Sequence, residues 1–262
     1  MKFATWLAGA AVAAALVSTA VPAKDWNEIR IGSEGAYPPF NSINSSGELV
    51  GFDIDIGKAL CEQMQAKCSF VAQDWDGIIP GLLSGKYDVI LASMSITEER
   101  KQQVAFSAPY YKAAMTWVAR TDDEAPEDFS PEGLNGKVLG AQSSTQMAAY
   151  LQAVYPKADL RLYRTQDEAN MDLANGRIDL MVGDLLPMLD WIEGGEDARC
   201  CHMVGEPITD SRYAGEGTGM ALRQEDEALR RKLDQALAAI IADGTYQAIN
   251  DKYFSINIYD LK

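Results

Sequence analysis

From Glu28 to Val182 the chain keeps switching between short β-rich runs and helical patterns, and few folds accommodate that alternation. Strands are expected at Glu28–Ser33, Cys68–Gln73, Tyr87–Ala92, Lys137–Ala141, Leu160–Tyr163 and Ile178–Val182. Helices are expected at Phe52–Gln65, Trp75–Ser84, from Thr97 onward, at Thr145–Val154 and at Gln166–Asn175. Strand–helix–strand repetition of this kind marks parallel α/β sheets. One stretch is echoed: Ser84-Gly85-Lys86-Tyr87-Asp88-Val89-Ile90 has its counterpart in Asn175-Gly176-Arg177-Ile178-Asp179-Leu180-Met181. In both, a helix stops at glycine, a basic residue follows, and an apolar strand opens around an aspartate, which predicts two lobes of similar build. The acidic loop Asp122–Pro131, with two prolines, reads as surface. Glu225–Ala242 reads as an amphipathic helix stopped at Asp243-Gly244, with a shorter helix running on through Tyr253.

Charge narrows the function. The 262 residues carry 38 acidic against 23 basic side chains, a net charge of −15. So acidic a surface repels phosphate backbones and anionic lipid headgroups, and argues against nucleic-acid binding. A single histidine, His202, leaves little for histidine-based triads or metal sites. Residues 1–23 read as a signal peptide: Lys2 is a short positive start, Ala4 to Ala20 an apolar alanine-rich run, and Val21-Pro22-Ala23 a cleavage site. A membrane anchor is the weaker reading, because the run is short and rich in alanine. With no cysteine beside the cleavage site to carry a lipid, a soluble exported protein is expected.

Export permits disulfides. On one continuous helix Cys61 and Cys68 would lie too far apart to bridge, so pairing needs the chain to reverse near Ala66-Lys67. Cys200 and Cys201 would point to opposite faces of a strand. They are read as two buried small apolar side chains, in preference to a Cys-Cys-His metal site or a strained vicinal bridge.

Ligands of open α/β sheets bind beyond the carboxyl ends of the strands. After the expected strands come Glu34, Gly35, Ala36 and Tyr37; then Ser93, Met94 and Ser95; then Gln142, Ser143, Ser144, Thr145 and Gln146; then Gly183 and Asp184. Two of these stretches read as helix starts preceded by hydroxyl residues, settings that favour an anion. Ser95 with Glu98 reads as a capping box. Arg100, a cation in a first helical turn, needs a partner, either solvent or a ligand carboxylate held bidentately. Asp184 would be costly to bury unpaired and suits a ligand ammonium, although a structural lysine could serve. Tyr37 and Trp75 offer aromatic faces from loop-like settings, with ordinary core packing the plainer alternative. Together these groups describe a pocket for a zwitterion with an extra cationic or polar end.

In three stretches, Ile31-Gly32-Ser33-Glu34-Gly35-Ala36-Tyr37-Pro38-Pro39-Phe40, Gly51-Phe52-Asp53-Ile54-Asp55-Ile56-Gly57 and Ala92-Ser93-Met94-Ser95-Ile96-Thr97-Glu98-Glu99-Arg100, the chain resembles the periplasmic solute-binding proteins of the lysine/arginine/ornithine and histidine group. Gly215–Gly219, Asp243–Tyr246 and Lys252–Phe254 extend the resemblance over the region beyond residue 23. It implies two Rossmann-like α/β lobes joined by a two-strand hinge, the type II periplasmic binding protein fold, with the ligand in the interlobe cleft. Lobe 1 would comprise residues 26–112 and 215–262, and lobe 2 residues 113–214. By resemblance, Arg100 clamps the ligand carboxylate with Ser93 and Ser95, while Ser144, Thr145 and Gln146 close over it. Asp184 takes the ammonium, Tyr37 and Trp75 sandwich the side chain, and Glu34 meets the distal cation. Ala92 and Ala141 complete the ligand set. Ala92 stands where many relatives carry serine, Glu34 is longer than the aspartate of some, and Trp75 replaces a phenylalanine. Cys61 and Cys68 correspond to the family's lobe 1 disulfide.

The function implied is a non-enzymatic, cofactor-free periplasmic carrier, monomeric, that delivers a cationic amino acid to an ABC-transporter permease in the inner membrane. Arginine, ornithine or lysine lead the candidates, with histidine and opines behind them. The alternatives are a dehydratase resembling cyclohexadienyl or arogenate dehydratase on the same fold, and a sensor for a membrane receptor.

Overall fold

The computed structural model of the protein describes residues 24–112, 114–194 and 197–260; the segment read as a signal peptide lies outside them. Two five-stranded sheets carry the fold. In the first, Glu28–Ser33 pairs in parallel with Lys67–Ala72 on one side and Val89–Ile90 on the other. Ala221–Leu222 then runs antiparallel between Val89–Ile90 and Ala105–Phe106. In the second, Val138–Gln142 pairs in parallel with Asp159–Tyr163 and Leu180–Asp184. Met115–Arg120 is antiparallel to Leu180–Asp184 and to Cys201–Ile208. In each sheet, then, one strand, Ala221–Leu222 or Met115–Arg120, runs against the other four.

The repeated stretch has the same physical role in both sheets. Helices Ile78–Leu83 and Gln166–Ala174 end just before Gly85 and Gly176, which adopt left-handed φ values of 76° and 68°, a conformation glycine takes without steric cost. The basic residues that follow donate their backbone N–H groups back to Gly81 and Asp172. The aspartates then tie down the adjacent strand: Asp88 accepts from the Arg30 N–H at 3.0 Å, and Asp179 from the Val138 N–H at 2.7 Å. Asp88 also gathers Lys24, Arg30 and Arg223, and these cations hold its carboxyl far below the usual range against the cost of burial.

Helices Phe52–Gln63 and Glu227–Ala242 cover one face of the first sheet through Ile56, Leu60, Leu233 and Leu237, packed on Ile29 and Ile31. Ile78, Leu82 and Tyr87 cover the other face. The second sheet has its own core on each face, around Trp117, Leu139 and Leu151, and around Val118, Leu173 and Met181. The chain crosses between the sheets after Ala105–Phe106 and returns after Cys201–Ile208. The crossings bond to each other: Thr218 N–H donates to the Tyr111 carbonyl, and Tyr110 N–H to the Thr218 carbonyl. Two lobes joined by a pair of touching strands form a hinge.

Helix Phe52–Gln63 ends earlier than expected; Gln65, at φ 54°, turns the chain, and Ala66 N–H closes the turn on the Cys61 carbonyl. That reversal pairs Cys61 with Cys68, their Cα atoms 6.1 Å apart. Replacing both by serine opens this short loop and is expected to cost about 2.5 kcal/mol of stability; urea unfolding of the variant checks it. The second cysteine pair corrects the expectation of two separate thiols. Cys200 ends a 3-10 turn, Asp197–Cys200, and Cys201 opens a strand. The backbone between them is therefore not extended, and they are bonded to each other. Cys201 is buried against Val118 and Met181, so its apolar setting is as expected.

Candidate functional site

The strand ends of both lobes face one another across a narrow seam. From lobe 1, Glu34 is 7 % exposed and accepts a 2.6 Å hydrogen bond from Nε2 of Gln142 in lobe 2. Burial pushes its carboxyl up to about 7, against the opposing effect of that bond, with Asp74, Asp167 and Asp76 adding repulsion. Tyr37 donates its hydroxyl to Asp184 Oδ2 at 2.6 Å. Asp184 ends strand Leu180–Asp184 and accepts at Oδ1 from Gln146 Nε2 at 3.1 Å. Its donors are neutral, and burial raises its carboxyl above the ordinary range although Tyr37, Arg100 and Gln146 pull the other way.

Arg100 lies in the four-residue helix Glu98–Lys101. Thr97, not Ser95, caps this helix, its hydroxyl accepting from the Arg100 N–H. Ser95 instead gives its carbonyl to Arg100 Nη1 at 3.0 Å and its Oγ to Gln146 at 2.9 Å. The second guanidinium nitrogen donates to the Ser144 carbonyl at 3.3 Å. Among the described residues no carboxylate forms a salt bridge with this cation, which is 7 % exposed. Burial pulls it down to about 10 even with Asp184 nearby. The Trp75 ring lies 5.3 Å from the guanidinium carbon, and its Nε1 donates to the same Ser144 carbonyl. Ser144, whose carbonyl meets Arg100 and Trp75 across the seam, has φ 56°, and Ser93 in lobe 1 has φ 54°. Left-handed backbone at non-glycine residues is costly and concentrates at functional sites. Ser93 turns its hydroxyl to Asp53, which also accepts from Asn41 and Tyr110.

Thr145 caps helix Gln146–Val154, accepting from Ala148 N–H while donating to the Gln142 carbonyl. At the rim, Ser143 donates to Asp76 and Arg164 pairs with Asp74. Eleven of the expected site positions, Glu34, Tyr37, Trp75, Ala92, Ser93, Ser95, Arg100, Ser144, Thr145, Gln146 and Asp184, gather along this seam. Ala141 does not; it is fully buried in the lobe 2 sheet core. Gln142 and Met147, not singled out from the sequence as site residues, line the cavity with Glu34 and Asp184. Gln142 was visible as a polar residue at a strand end. Met147 carries no such signal.

The cavity among Glu34, Tyr37, Trp75, Gln142 and Asp184 measures about 10 Å³, too little for more than a single water. A larger hollow of about 430 Å³ is bordered by Arg100 and shares Trp75, Thr145 and Gln146 with this cavity, but Glu34, Tyr37 and Asp184 do not line it. Any guest that meets all of these groups must enter with the lobes apart and be enclosed when they meet.

Paired α/β lobes on a double-strand hinge, with charged side chains from both meeting in the cleft, define a two-lobed solute trap. The chain belongs to the bacterial extracellular solute-binding proteins, family 3, which match it over residues 29–256. It is 40 % identical to the ABC transporter arginine-binding protein 1 of Escherichia coli over 93 % of this chain and 97 % of that protein. It is also 40 % identical to the L-arginine-binding protein of Pseudomonas aeruginosa, over 88 % and 89 % of the two chains. A solved Salmonella typhimurium periplasmic binding protein, described for its high arginine specificity, superposes with a TM-score of 0.79 at 31 % identity, covering 87 % of this chain and all of that one. No described helix is long and apolar enough to cross a membrane.

Proposed function

We propose that this protein captures a cationic amino acid, arginine foremost, between its lobes and delivers it to an ABC permease of the inner membrane. It acts as a periplasmic monomer after cleavage near Ala23, with lobe 1 comprising residues 26–112 and 215–262 and lobe 2 residues 113–214. One observation carries this reading. In a closed seam, one buried guanidinium bonded only to carbonyls stands near two buried carboxylates with neutral donors. Their signs match the carboxylate, ammonium and guanidinium of arginine. Arg100, with Ser95, Ser144, Thr145 and Gln146 beside it, takes the carboxylate; Asp184 takes the ammonium; Glu34 takes the distal cation; Tyr37 and Trp75 enclose the side chain, with Ala92 and Ser93 below. Because each lobe supplies part of the grip, binding favours closure, and the permease would recognise the closed shape. The relatives named above are binding proteins, which supports a carrier over a dehydratase.

Glu34 decides selectivity, and its titration tests the reading. With its carboxyl raised to about 7 by burial, Glu34 is largely protonated in the closed cleft at pH 5 to 6. A ligand cation favours the ionised form, so arginine expels a proton there. Arginine affinity therefore rises with pH toward neutrality, by at most about tenfold per unit, and levels off above pH 7. Glutamine affinity stays flat over the same range. Glu34→Gln removes the pH dependence and weakens arginine by about 1.5–3 kcal/mol, with glutamine nearly unchanged. Calorimetry in buffers of different ionisation enthalpy reads the proton directly; equal losses for arginine and glutamine would refute charge reading by Glu34.

A further inference from the structure

Asp53 stands fully buried in the first turn of helix Phe52–Gln63 and takes no part in the ligand set. Each of its three side-chain donors lies on a segment that the cleft or the hinge depends on. Ser93 Oγ donates to Oδ2 at 3.0 Å, and Ser93 lines the cavity with Glu34. Asn41 Nδ2 donates to the same oxygen at 2.8 Å, and Asn41 Oδ1 accepts at 2.8 Å from the N–H of Gly35, directly after Glu34. Tyr110 gives its hydroxyl to Oδ1 at 2.7 Å and accepts from the Ser93 N–H at 3.2 Å. Tyr110 lies on the first crossing, where its own N–H bonds to Thr218 of the second. The stretch beyond Ser93 is tied to that second crossing too: Gly219 N–H donates to the Met94 carbonyl, and Ile96 N–H to the Gly217 carbonyl.

Ser93 has a left-handed backbone at φ 54°, which a residue with a side chain keeps only when its surroundings over-determine it. Asp53 and Tyr110 grip this residue at both its hydroxyl and its N–H. A buried carboxylate serves better here than a neutral acceptor. Its two oxygens take all three donors at charge-assisted strength, and the helix N-terminus favours its charge. We propose that Asp53 is a positioning residue for ligand binding: it locks the turn at Ser93 to the hinge through Tyr110, so that the ligand meets lobe 1 already in its binding shape. This role rests on the cleft being the ligand site. Released from the grip, Ser93 relaxes to an ordinary φ and binding must restore the strained one. Apparent affinity then falls in proportion to the fraction of molecules that still hold the turn.

Arginine titrated calorimetrically into the full chain and its variants tests this. Asp53→Asn keeps the shape but turns one acceptor oxygen into a donor, and Tyr110→Phe removes the hydroxyl that joins Asp53 to the Ser93 N–H. Each is expected to weaken arginine about tenfold, and the double variant by no more than the stronger single effect, because both break one link. Asp55→Asn loosens the same helix by releasing Lys252 and Tyr253; it lowers the melting temperature and leaves the affinity unchanged. In isotope-labelled protein without ligand, the three-bond amide coupling of Ser93, which reports φ, moves in Asp53→Asn and Tyr110→Phe and not in Asp55→Asn. Wild-type affinity in Tyr110→Phe, losses that multiply in the double variant, an equal loss in Asp55→Asn, or an unmoved Ser93 coupling would each overturn the proposal. Should Asp53→Asn fail to fold, Tyr110→Phe, which leaves Asn41 and Ser93 on the carboxylate, decides alone. Should the wild-type chain not bind arginine, the reading of the cleft fails, and the Ser93 coupling still decides whether Asp53 and Tyr110 hold the turn.

Discussion

An Arg100→Ala protein is expected to fold, to melt close to the wild type without ligand, and to give no measurable heat with arginine at concentrations that saturate the wild type. The two halves of this result have different origins. In the closed seam the guanidinium is buried against two backbone carbonyls and the Trp75 ring, and burial pulls its proton affinity down. A desolvated cation with no carboxylate bonded to it contributes little net stability, so its removal changes folding by only about 1 kcal/mol. Ligand binding gives the guanidinium its missing partner, a carboxylate that can accept from both nitrogens. Deleting one member of a buried pair costs about 3–5 kcal/mol because the other stays desolvated and uncompensated. That is a loss of more than a hundredfold. Arg100→Lys keeps the charge but not the planar fork, and falls between the two. Near-wild-type affinity in the alanine variant would remove the carboxylate clamp from the account of this cleft.

The sequence was informative where local rules set the structure. Strand-then-helix alternation and the repeated glycine–basic–aspartate stretch expose the two sheets, because the repeat is local chemistry: a left-handed glycine, and a carboxylate that ties down the next strand. Reading the residues after each strand located Glu34, Arg100 and Asp184, since strand ends in both lobes point to the seam. What escaped depended on distant contacts. Met115–Arg120 is buried along nearly its whole length, so it shows no alternation, and Cys201–Ile208 is interrupted by Gly205 and Pro207. Ala221–Leu222 is too short to be seen alone. The expected strand Tyr87–Ala92 shrinks to Val89–Ile90 in the ladder, and the expected helix Trp75–Ser84 begins as a 3-10 turn with Pro80 near its start. Gln142 acquires its significance only because Glu34, 108 positions earlier, meets it when the lobes close. The left-handed backbone at Ser93 and Ser144 is likewise imposed by the assembled cleft and not by residue preference.

Asp184→Asn is expected to move stability and affinity in opposite directions. The wild-type carboxylate is buried with two neutral donors, Tyr37 and Gln146, and its proton affinity is raised. For a group whose pKa is higher folded than unfolded, the stabilising contribution is complete below the unfolded value and is lost as pH rises through the folded one. The closed, ligand-free wild type therefore loses stability as pH climbs out of the ordinary carboxylate range, and asparagine, which cannot ionise, does not share that loss. At pH 7 the ligand-free variant should be at least as stable as the wild type by thermal melting. Arginine binding should fall by about 3–5 kcal/mol, since the ammonium loses its only opposite charge and is itself desolvated. A carboxylate kept purely for architecture would behave in reverse: its amide variant would lower the melting temperature and leave the affinity intact. That outcome would mean that Asp184 braces the seam through Tyr37 and Gln146 and that the ligand ammonium is held elsewhere. The predicted combination, a protein no less stable and nearly unable to bind, identifies a charge that destabilises the closed cleft until a guest of opposite sign arrives, so that closure without ligand is disfavoured by the same group that makes closure with ligand tight.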